Sequence, residues 1–278
     1  MVSGEPSRTA LAAAMHRAAH QVVERGMIFQ DPLALRILGV DEETVVREAG
    51  GEARRRMRMF IAMRTRFAED ALRVAVEDGT TQLVVLGAGL DTFAYRSPYG
   101  VRLKVFEVDH PATQAWKKQR LKEAGIEVPE WLRFAPVDFE RETLTEGLRA
   151  AGINDEAATF FTWLGVVPYL SETAIFETLG FIARLKGGAQ VVFDYSDPPE
   201  VMDDETRAFH DQRARRVADI GERWVTYFEA EPLRERLLDV GFLEVEDLRP
   251  GQMLDRYFPG RGKQLPRRGG HLLRAWTR

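Results

Sequence analysis

The chain has 278 residues, 39 Lys+Arg against 43 Asp+Glu for a net charge of −4, 45% apolar positions and no cysteine. That length suits one large α/β domain or a domain with an appended lid, and the lack of cysteine excludes a disulfide scaffold, a thiolate zinc site and a cysteine nucleophile. Mild acidity leaves no electrostatic footprint for duplex nucleic acid, and no apolar run approaches the ~20 residues of a spanning helix, so the expectation is a soluble cytoplasmic enzyme engaging neither nucleic acid nor membrane.

From Ser7 to Gly79 the pattern is helical, and Asp31-Pro32 reads as an N-cap followed by a proline at the first helical position. The run Thr9 to Met15 resembles a signal core only briefly, since His16 and Arg17 interrupt it and the preceding region is not basic. Arg54-Arg55-Arg56-Met57-Arg58 reads as a solvated helix face. From residue 81 the period changes. Strands are expected at 82–86, 102–108, 133–137, 158–164, 190–196, 242–248 and 271–277, with helices at 110–124, 140–151, 171–185 and 230–240 between them. Gly125, Gly152, Gly187 and Gly241 fall where helix C-terminal caps are expected. This alternation implies parallel strands joined by crossovers, hence a doubly wound, Rossmann-like, seven-stranded and mostly parallel α/β sheet. The polar span 197–231, helical from 199 to 219, is too long for an ordinary connection and should cap the sheet's carboxyl edge. Pro250 to Gly270 offers no clear crossover helix, so the last strand is expected to run antiparallel. Residues 1–70 thus read as an N-terminal helical lid and 71–278 as a core carrying the 197–231 cap.

The most informative segment is Leu83 to Thr92, where an apolar strand runs into Gly87-Ala88-Gly89. Glycines there permit a tight turn and close approach of a ligand, although Gly-x-Gly alone is also an ordinary strand–helix turn. Asp109 follows 22 residues after Gly87, near the ~20 at which an acid meets the ribose hydroxyls of a nucleotide-like cofactor; its simpler reading is a helix N-cap before Pro111. Asp138 and Phe139, after the third strand, could bind and flank an adenine, or Asp138 could cap the next helix. Trp163 and Tyr169 lie near the end of the fourth strand, where large residues also serve as core. A dinucleotide fingerprint would have a third glycine at Thr92, and Asp91 puts negative charge where a pyrophosphate would sit. S-adenosylmethionine carries no phosphate and suits this turn better than NAD.

Taken together, SRTALAAAMHRAAH (7–20), FIAMRTRFAED (60–70), LGAGLDTFAYR (86–96), FEVDHPATQAWKKQRL (106–121), PVDF (136–139), WLGVVPYLS (163–171), RYFPGR and HLLRAWT resemble the leucine carboxyl methyltransferase-like family. The resemblance implies a class I S-adenosylmethionine-dependent methyltransferase, similar to bacterial members of which some are tied to polyketide tailoring. It implies Arg64 on the methionine carboxylate, with Arg66 the nearby alternative, the Gly87, Ala88 and Gly89 backbone beneath the cofactor, Asp109 on the ribose, and Asp138 with Phe139 at the adenine. A planar guanidinium suits a carboxylate because it binds it bidentately. Many relatives have Glu-Gly where this chain has Leu164-Gly165, so the cofactor's amino group must turn to backbone carbonyls, such as that of Trp163, or to another side chain.

Methyl transfer from a sulfonium requires alignment and exclusion of water rather than a metal. His16 and His20, one turn apart, could in principle share a metal, but no carboxylate completes the pattern and none is expected. The resemblance favours an oxygen acceptor: a carboxylate or hydroxyl of a small molecule such as a bacterial secondary metabolite, with Tyr169 positioning it. A carboxylate, ionised above pH ~4, would need no base, so loss of one histidine should then cost much less than ~100-fold; a phenol, with pKa ~10, would gain from a base. The competing readings are a protein C-terminal carboxyl methyltransferase, a nicotinamide-dependent oxidoreductase and a non-catalytic binding protein on the same fold. The oligomeric state is left open.

Overall fold

The structure is a computed structural model that describes residues 7–138, 142–219, 221–258 and 268–278. In chain order the elements are α1 (Arg8–Val23), α2 (Ala34–Leu38), α3 (Glu42–Val45), α4 (Arg55–Glu77), β1 (Gln82–Leu86), α5 (Phe93–Arg96), β2 (Lys104–Asp109), α6 (Pro111–Glu123), β3 (Leu132–Pro136), α7 (Leu144–Ala150), β4 (Thr159–Trp163), α8 (Glu172–Ala183), β5 (Ala189–Ser196), α9 (Asp204–Asp219), α10 (Ala230–Val240), β6 (Glu244–Leu248), α11 (Pro250–Tyr257) and β7 (Gly270–Trp276). The strands form a seven-stranded sheet in the order β3-β2-β1-β4-β5-β7-β6. By internal contacts the chain divides into two units, residues 1–70 with 81–153 and residues 71–80 with 154–278.

In the first unit β1 pairs parallel with β2, and β2 with β3, so the three carboxyl ends share one edge. Every residue of β1 is buried, as its apolar run Leu83 to Leu86 requires of a parallel strand covered on both faces. The N-terminal helices share a core with this edge: Ala14, Ala18, Ala19, Ile37, Leu38 and Val45 cluster with Leu90, just past the glycine turn, and with Leu121 and Ile126. In the second unit β4 and β5 run parallel, while β7 pairs antiparallel with both β5 and β6. The predicted reversal of the last strand is therefore present, and it places Gly270 beside Ser196 at the carboxyl end of β5.

Several local expectations are corrected. The Pro250–Gly270 stretch contains α11, which starts with Pro250 at its first position and with Arg249 N–H donating to Gln252 Oε1 at 3.0 Å; residues 259–267 lie outside the described residues. The helix expected from 140 is α7 and begins at Leu144, because Thr143 and Glu146 form a capping box there. α2 begins at Ala34 rather than next to Asp31: the Asp31 carboxylate accepts from Leu33 N–H at 3.0 Å, but its remaining partners belong to other elements. Gly187 is not a left-handed cap. A Cβ there would lie 2.3 Å from the Ala157 backbone, so close chain approach demands the glycine, while Gly188 takes the positive φ of 79°. The basic run is also not uniformly solvated. Arg54, Arg55 and Arg56 are exposed, but Arg58 is buried against Glu24 at 2.6 Å and donates to the Ala49 and Gly51 carbonyls.

Candidate active site

Where β1 ends, the chain turns through Gly87 and Gly89 with φ of 66° and 44°, the left-handed region in which a Cβ is strained. Gly87 and Ala88 donate their N–H groups to the Val108 carbonyl at 2.9 and 3.0 Å, which fixes the turn to the end of β2. The Asp109 carboxylate completes this link. One oxygen accepts from Gly89 N–H at 2.6 Å and the other from His110 N–H at 2.7 Å. Burial pushes the Asp109 carboxyl above its ordinary range, against those two hydrogen bonds. Asp109 is not the cap of α6; that position belongs to His110, whose Nδ1 accepts from Ala112 N–H. At Gly89 the space a Cβ would need is taken by Ala10 Cβ, 2.9 Å away, so α1 lies directly on the turn.

α1 is also held there by charge. Arg17 donates to the Leu90 carbonyl at 2.5 Å and pairs with Asp31 at 2.8 Å. The buried Asp31 accepts from Thr92 Oγ1 at 2.7 Å and faces Arg96 at 3.7 Å, and Arg96 binds Glu69 of α4 through both terminal nitrogens. This chain of side chains joins α1, the loop before α2, the glycine turn, α5 and α4. Sequence inspection missed it, since its members are scattered from 17 to 96 without a motif. A second buried pair lies on β2: Glu107 and Lys117 are 2.7 Å apart and fully enclosed, with the Tyr95 hydroxyl 3.3 Å from the same Glu107 oxygen. Burial, only partly offset by Lys117, pushes the Glu107 carboxyl up to about 7.

The two arginines of α4 differ. Arg64 is buried at 8% exposure, whereas Arg66 is exposed and binds Asp70 one turn on at 2.9 Å. Asp138 follows β3, where Val137 N–H donates to the Asp109 carbonyl at 3.0 Å, so both acids belong to the carboxyl edge of the first unit. Asp138 is not the cap of α7, which is Thr143. Phe139 lies outside the described residues. Gly87, Ala88, Gly89 and Asp109 are thus brought into hydrogen-bonded proximity, with Asp138 on the same edge.

Trp163 and Tyr169 belong to the second unit. Trp163 ends β4, buried edge-on against Phe193 of β5 with ring centroids 6.4 Å apart. Leu164 is half-buried, and Gly165 N–H donates to the Asp194 carboxylate of β5 at 2.5 Å. Tyr169 is half-buried on a short 3-10 turn, Val167–Tyr169, that leads to α8, capped as expected by Ser171. The segment after α9 is sewn to this turn. Val225 N–H donates to the Pro168 carbonyl at 2.8 Å, Thr226 Oγ1 to the Leu170 carbonyl at 2.5 Å, and Phe228 N–H to the Ser196 carbonyl at 3.1 Å.

The histidines have distinct surroundings. Buried His20 accepts from Ile28 N–H at Nε2 and faces Glu24 with Nδ1, so both its nitrogens are engaged within the helical layer. His271, on β7, lies between Asp197 at 3.0 Å and Asp247 at 2.9 Å and stacks on Tyr195. Burial alone would lower its pKa, but the two carboxylates outweigh it and raise it. His210, on α9, packs against Trp224 and Tyr227 with both ring separations 5.4 Å. Among the described residues no cluster of His, Asp and Glu is arranged to hold a metal ion, and no helix is long and apolar enough to cross a membrane.

A largely parallel sheet with a glycine turn after β1 and an acid ending β2 defines an α/β protein of nucleotide-cofactor type. The comparisons specify the class. A solved structure from Thermobifida fusca named as a methyltransferase superposes with a TM-score of 0.54 at 14% identity, covering 99% of this chain and 96% of that one. Magnesium protoporphyrin IX methyltransferase of Synechocystis PCC 6803, solved with bound SAH, gives a TM-score of 0.50 at 12% identity over 96% of this chain and 99% of that one. Such likeness is one of fold, that of the class I S-adenosylmethionine-dependent methyltransferases. In sequence, residues 10–183 match the leucine carboxyl methyltransferase family. YktD of Bacillus subtilis, assigned by name to the S-adenosyl-L-methionine-dependent methyltransferases, is 30% identical over 294 aligned residues, 95% of each chain. A protein of Parafrankia with the same assignment is 33% identical over 72% of this chain and 66% of its own. The chain belongs to the leucine carboxyl methyltransferase family, and its cofactor is S-adenosylmethionine. The first unit fits that cofactor on its own geometry: a left-handed glycine turn, an acid fixed beside it, and a buried arginine on α4.

Proposed function

We propose that the protein is a cytoplasmic O-methyltransferase that methylates a carboxylate or hydroxyl of a small molecule, of the kind found among bacterial secondary metabolites. The observation that carries the reading is the Asp109 carboxylate locked to the glycine turn at the carboxyl edge. In this reading Asp109 accepts from the ribose hydroxyls, using lone pairs that its two backbone partners leave over. The Gly87, Ala88 and Gly89 backbone forms the floor, and Arg64, buried where Arg66 is exposed, binds the methionine carboxylate bidentately. Asp138, with Phe139, takes the adenine end. Leu164 has no polar atom on its side chain, so the amino group falls to carbonyls such as that of Trp163. Tyr169 orients the acceptor.

When bound, the cofactor supplies an electrophilic methyl on a positively charged sulfur. What the chain contributes is alignment and exclusion of water, which in well-oriented systems amounts to about 7–11 kcal/mol. The N-terminal helices and the 197–231 cap form the lid in this reading, supported by the contact of Ala10 with the glycine turn and the anchoring of Arg17.

Methyl-tritiated S-adenosylmethionine, incubated with the enzyme and a fractionated extract of its source organism, tests the proposal. Label is expected in the small-molecule fraction, and alkali separates the acceptors: a methyl ester releases volatile methanol, an aryl ether does not. Label confined to protein contradicts the small-molecule reading in favour of a protein carboxyl acceptor.

A further inference from the structure

Thr92 stands where a dinucleotide-binding turn would carry its third glycine, and its hydroxyl is engaged on both sides. Thr92 is buried, and its Oγ1 donates to Asp31 Oδ2 at 2.7 Å while accepting from Arg96 Nε at 3.2 Å. A glycine has no such group, so the departure from the fingerprint supplies a connection. That connection leaves the turn in two directions. Arg96 goes on to bind Glu69 of α4 through both terminal nitrogens, with its guanidinium 4.9 Å over the Phe29 ring. Asp31 lies 2.8 Å from Arg17, which donates to the Leu90 carbonyl of the same turn at 2.5 Å.

The planar guanidinium of Arg96 transmits this arrangement. With Nε held by Thr92 and the terminal nitrogens by Glu69, its plane is fixed, and with it the spacing of α4 from the glycine turn. Asp31 sustains the orientation because it is the enclosed counterion on which both Arg17 and Arg96 converge, at 2.8 and 3.7 Å. Arg64 precedes Glu69 on the same helix. A bidentate grip on a carboxylate needs its guanidinium placed within about 0.5 Å, which demands that α4 be tied to the turn beneath the cofactor. We infer that Thr92, backed by Asp31, is a positioning residue for the amino-acid arm of the cofactor: through Arg96 and Glu69 it sets α4, and hence Arg64, against the glycine turn. This rests on the reading of Arg64 as the ligand of the methionine carboxylate.

Calorimetric titration of SAH and of methylthioadenosine, which keeps the adenosine and the thioether but lacks the amino-acid arm, tests the inference. Thr92→Val, close in shape, is expected to weaken SAH by about tenfold and methylthioadenosine by less than about twofold, while Thr92→Ser, which restores the hydroxyl, binds both within about threefold of wild type. Arg64→Met weakens SAH by itself, and adding Thr92→Val to it should cost less than about twofold more, because the relay acts through that guanidinium. A cooperative urea transition reports that each variant is folded. Should Thr92→Val not fold, the half-buried Glu69→Gln takes its place at the other end of the relay, with the same selective loss expected. Should methylthioadenosine bind too weakly to titrate, the SAH cycle with Arg64→Met decides. Folded Thr92→Val that binds SAH like the wild type, equal weakening of the two ligands, no recovery in Thr92→Ser, or a fully additive loss in the double variant would overturn the inference. Any of these with SAH weakened in Arg64→Met leaves the reading of Arg64 standing, whereas Arg64→Met that binds SAH like the wild type overturns that reading and the inference with it.

Discussion

Gly89 is constrained twice, by a φ of 44° and by Ala10 Cβ where its own Cβ would stand. Gly89→Ala is expected to destabilise by about 1–3 kcal/mol, and Ala10→Gly in the same chain should recover only the contact part, because the dihedral strain remains. Urea denaturation of the single and double variants measures both parts. The glycine turn was legible as a turn; its close neighbour was not, since the sequence places residue 10 in a helix without saying what that helix covers. Glu107 and Lys117 show the same limit. Both look like ordinary charges in a motif-bearing segment, yet they form an enclosed pair at 2.7 Å. Lys117→Met leaves that carboxylate without its cation and should cost about 3–5 kcal/mol, while Glu107→Gln with Lys117→Met should recover most of the loss. Loss of the same size in the double variant would contradict a pairwise origin.

At the scale of elements, strands and crossover helices were readable because their signals are local: a continuous apolar run for β1, Ser171 before α8, Gly241 after α10. The misses came where a local signal was redirected by a distant partner. Asp31 resembles a helix cap, but Arg17, Thr92 and Arg96 engage its carboxylate. The Arg54 to Arg58 run resembles a surface, but Glu24 draws Arg58 inside. α11 was overlooked because its flanking Pro, Gly and Arg residues read as a loop. The anchoring of α1 by Arg17 carries a consequence for activity. A variant lacking residues 1–25 loses both the cover over Gly89 and Arg17, the nearer of the two cations facing Asp31, so turnover should drop at least about tenfold, on the order of one charge-assisted hydrogen bond. A truncated enzyme with full turnover would contradict the assignment of the N-terminal helices as a lid.

At the scale of the whole molecule, stability should decline toward alkaline pH. The folded pKa of Glu107 is pushed up to about 7 by burial from an ordinary 4.5, so its contribution is full below about 4.5 and is lost as pH rises through 7. His271 is raised above 6.5 by Asp197 and Asp247 despite burial, so its contribution is full below 6.5 and is lost as pH rises through its higher folded value. Asp197 acts at the other end. Burial alone would raise it, but His271, Gly269 N–H and Arg268 hold it below 3.8, so its contribution is present above 3.8 and fades as pH falls through the lower folded value. Urea midpoints measured from pH 5 to 9 should fall with rising pH, and Glu107→Gln should flatten the part near pH 7. The cofactor site on which the whole account depends is tested most directly by calorimetric titration of SAH into the wild type and into Arg64→Met, Arg66→Met and Asp109→Asn. The account predicts saturable binding that weakens by about 10–100-fold in the Arg64 and Asp109 variants, as expected for lost charge-assisted hydrogen bonds, and by less than about twofold in the Arg66 variant. SAH bound by folded Arg64→Met and Asp109→Asn proteins as tightly as by the wild type would contradict it.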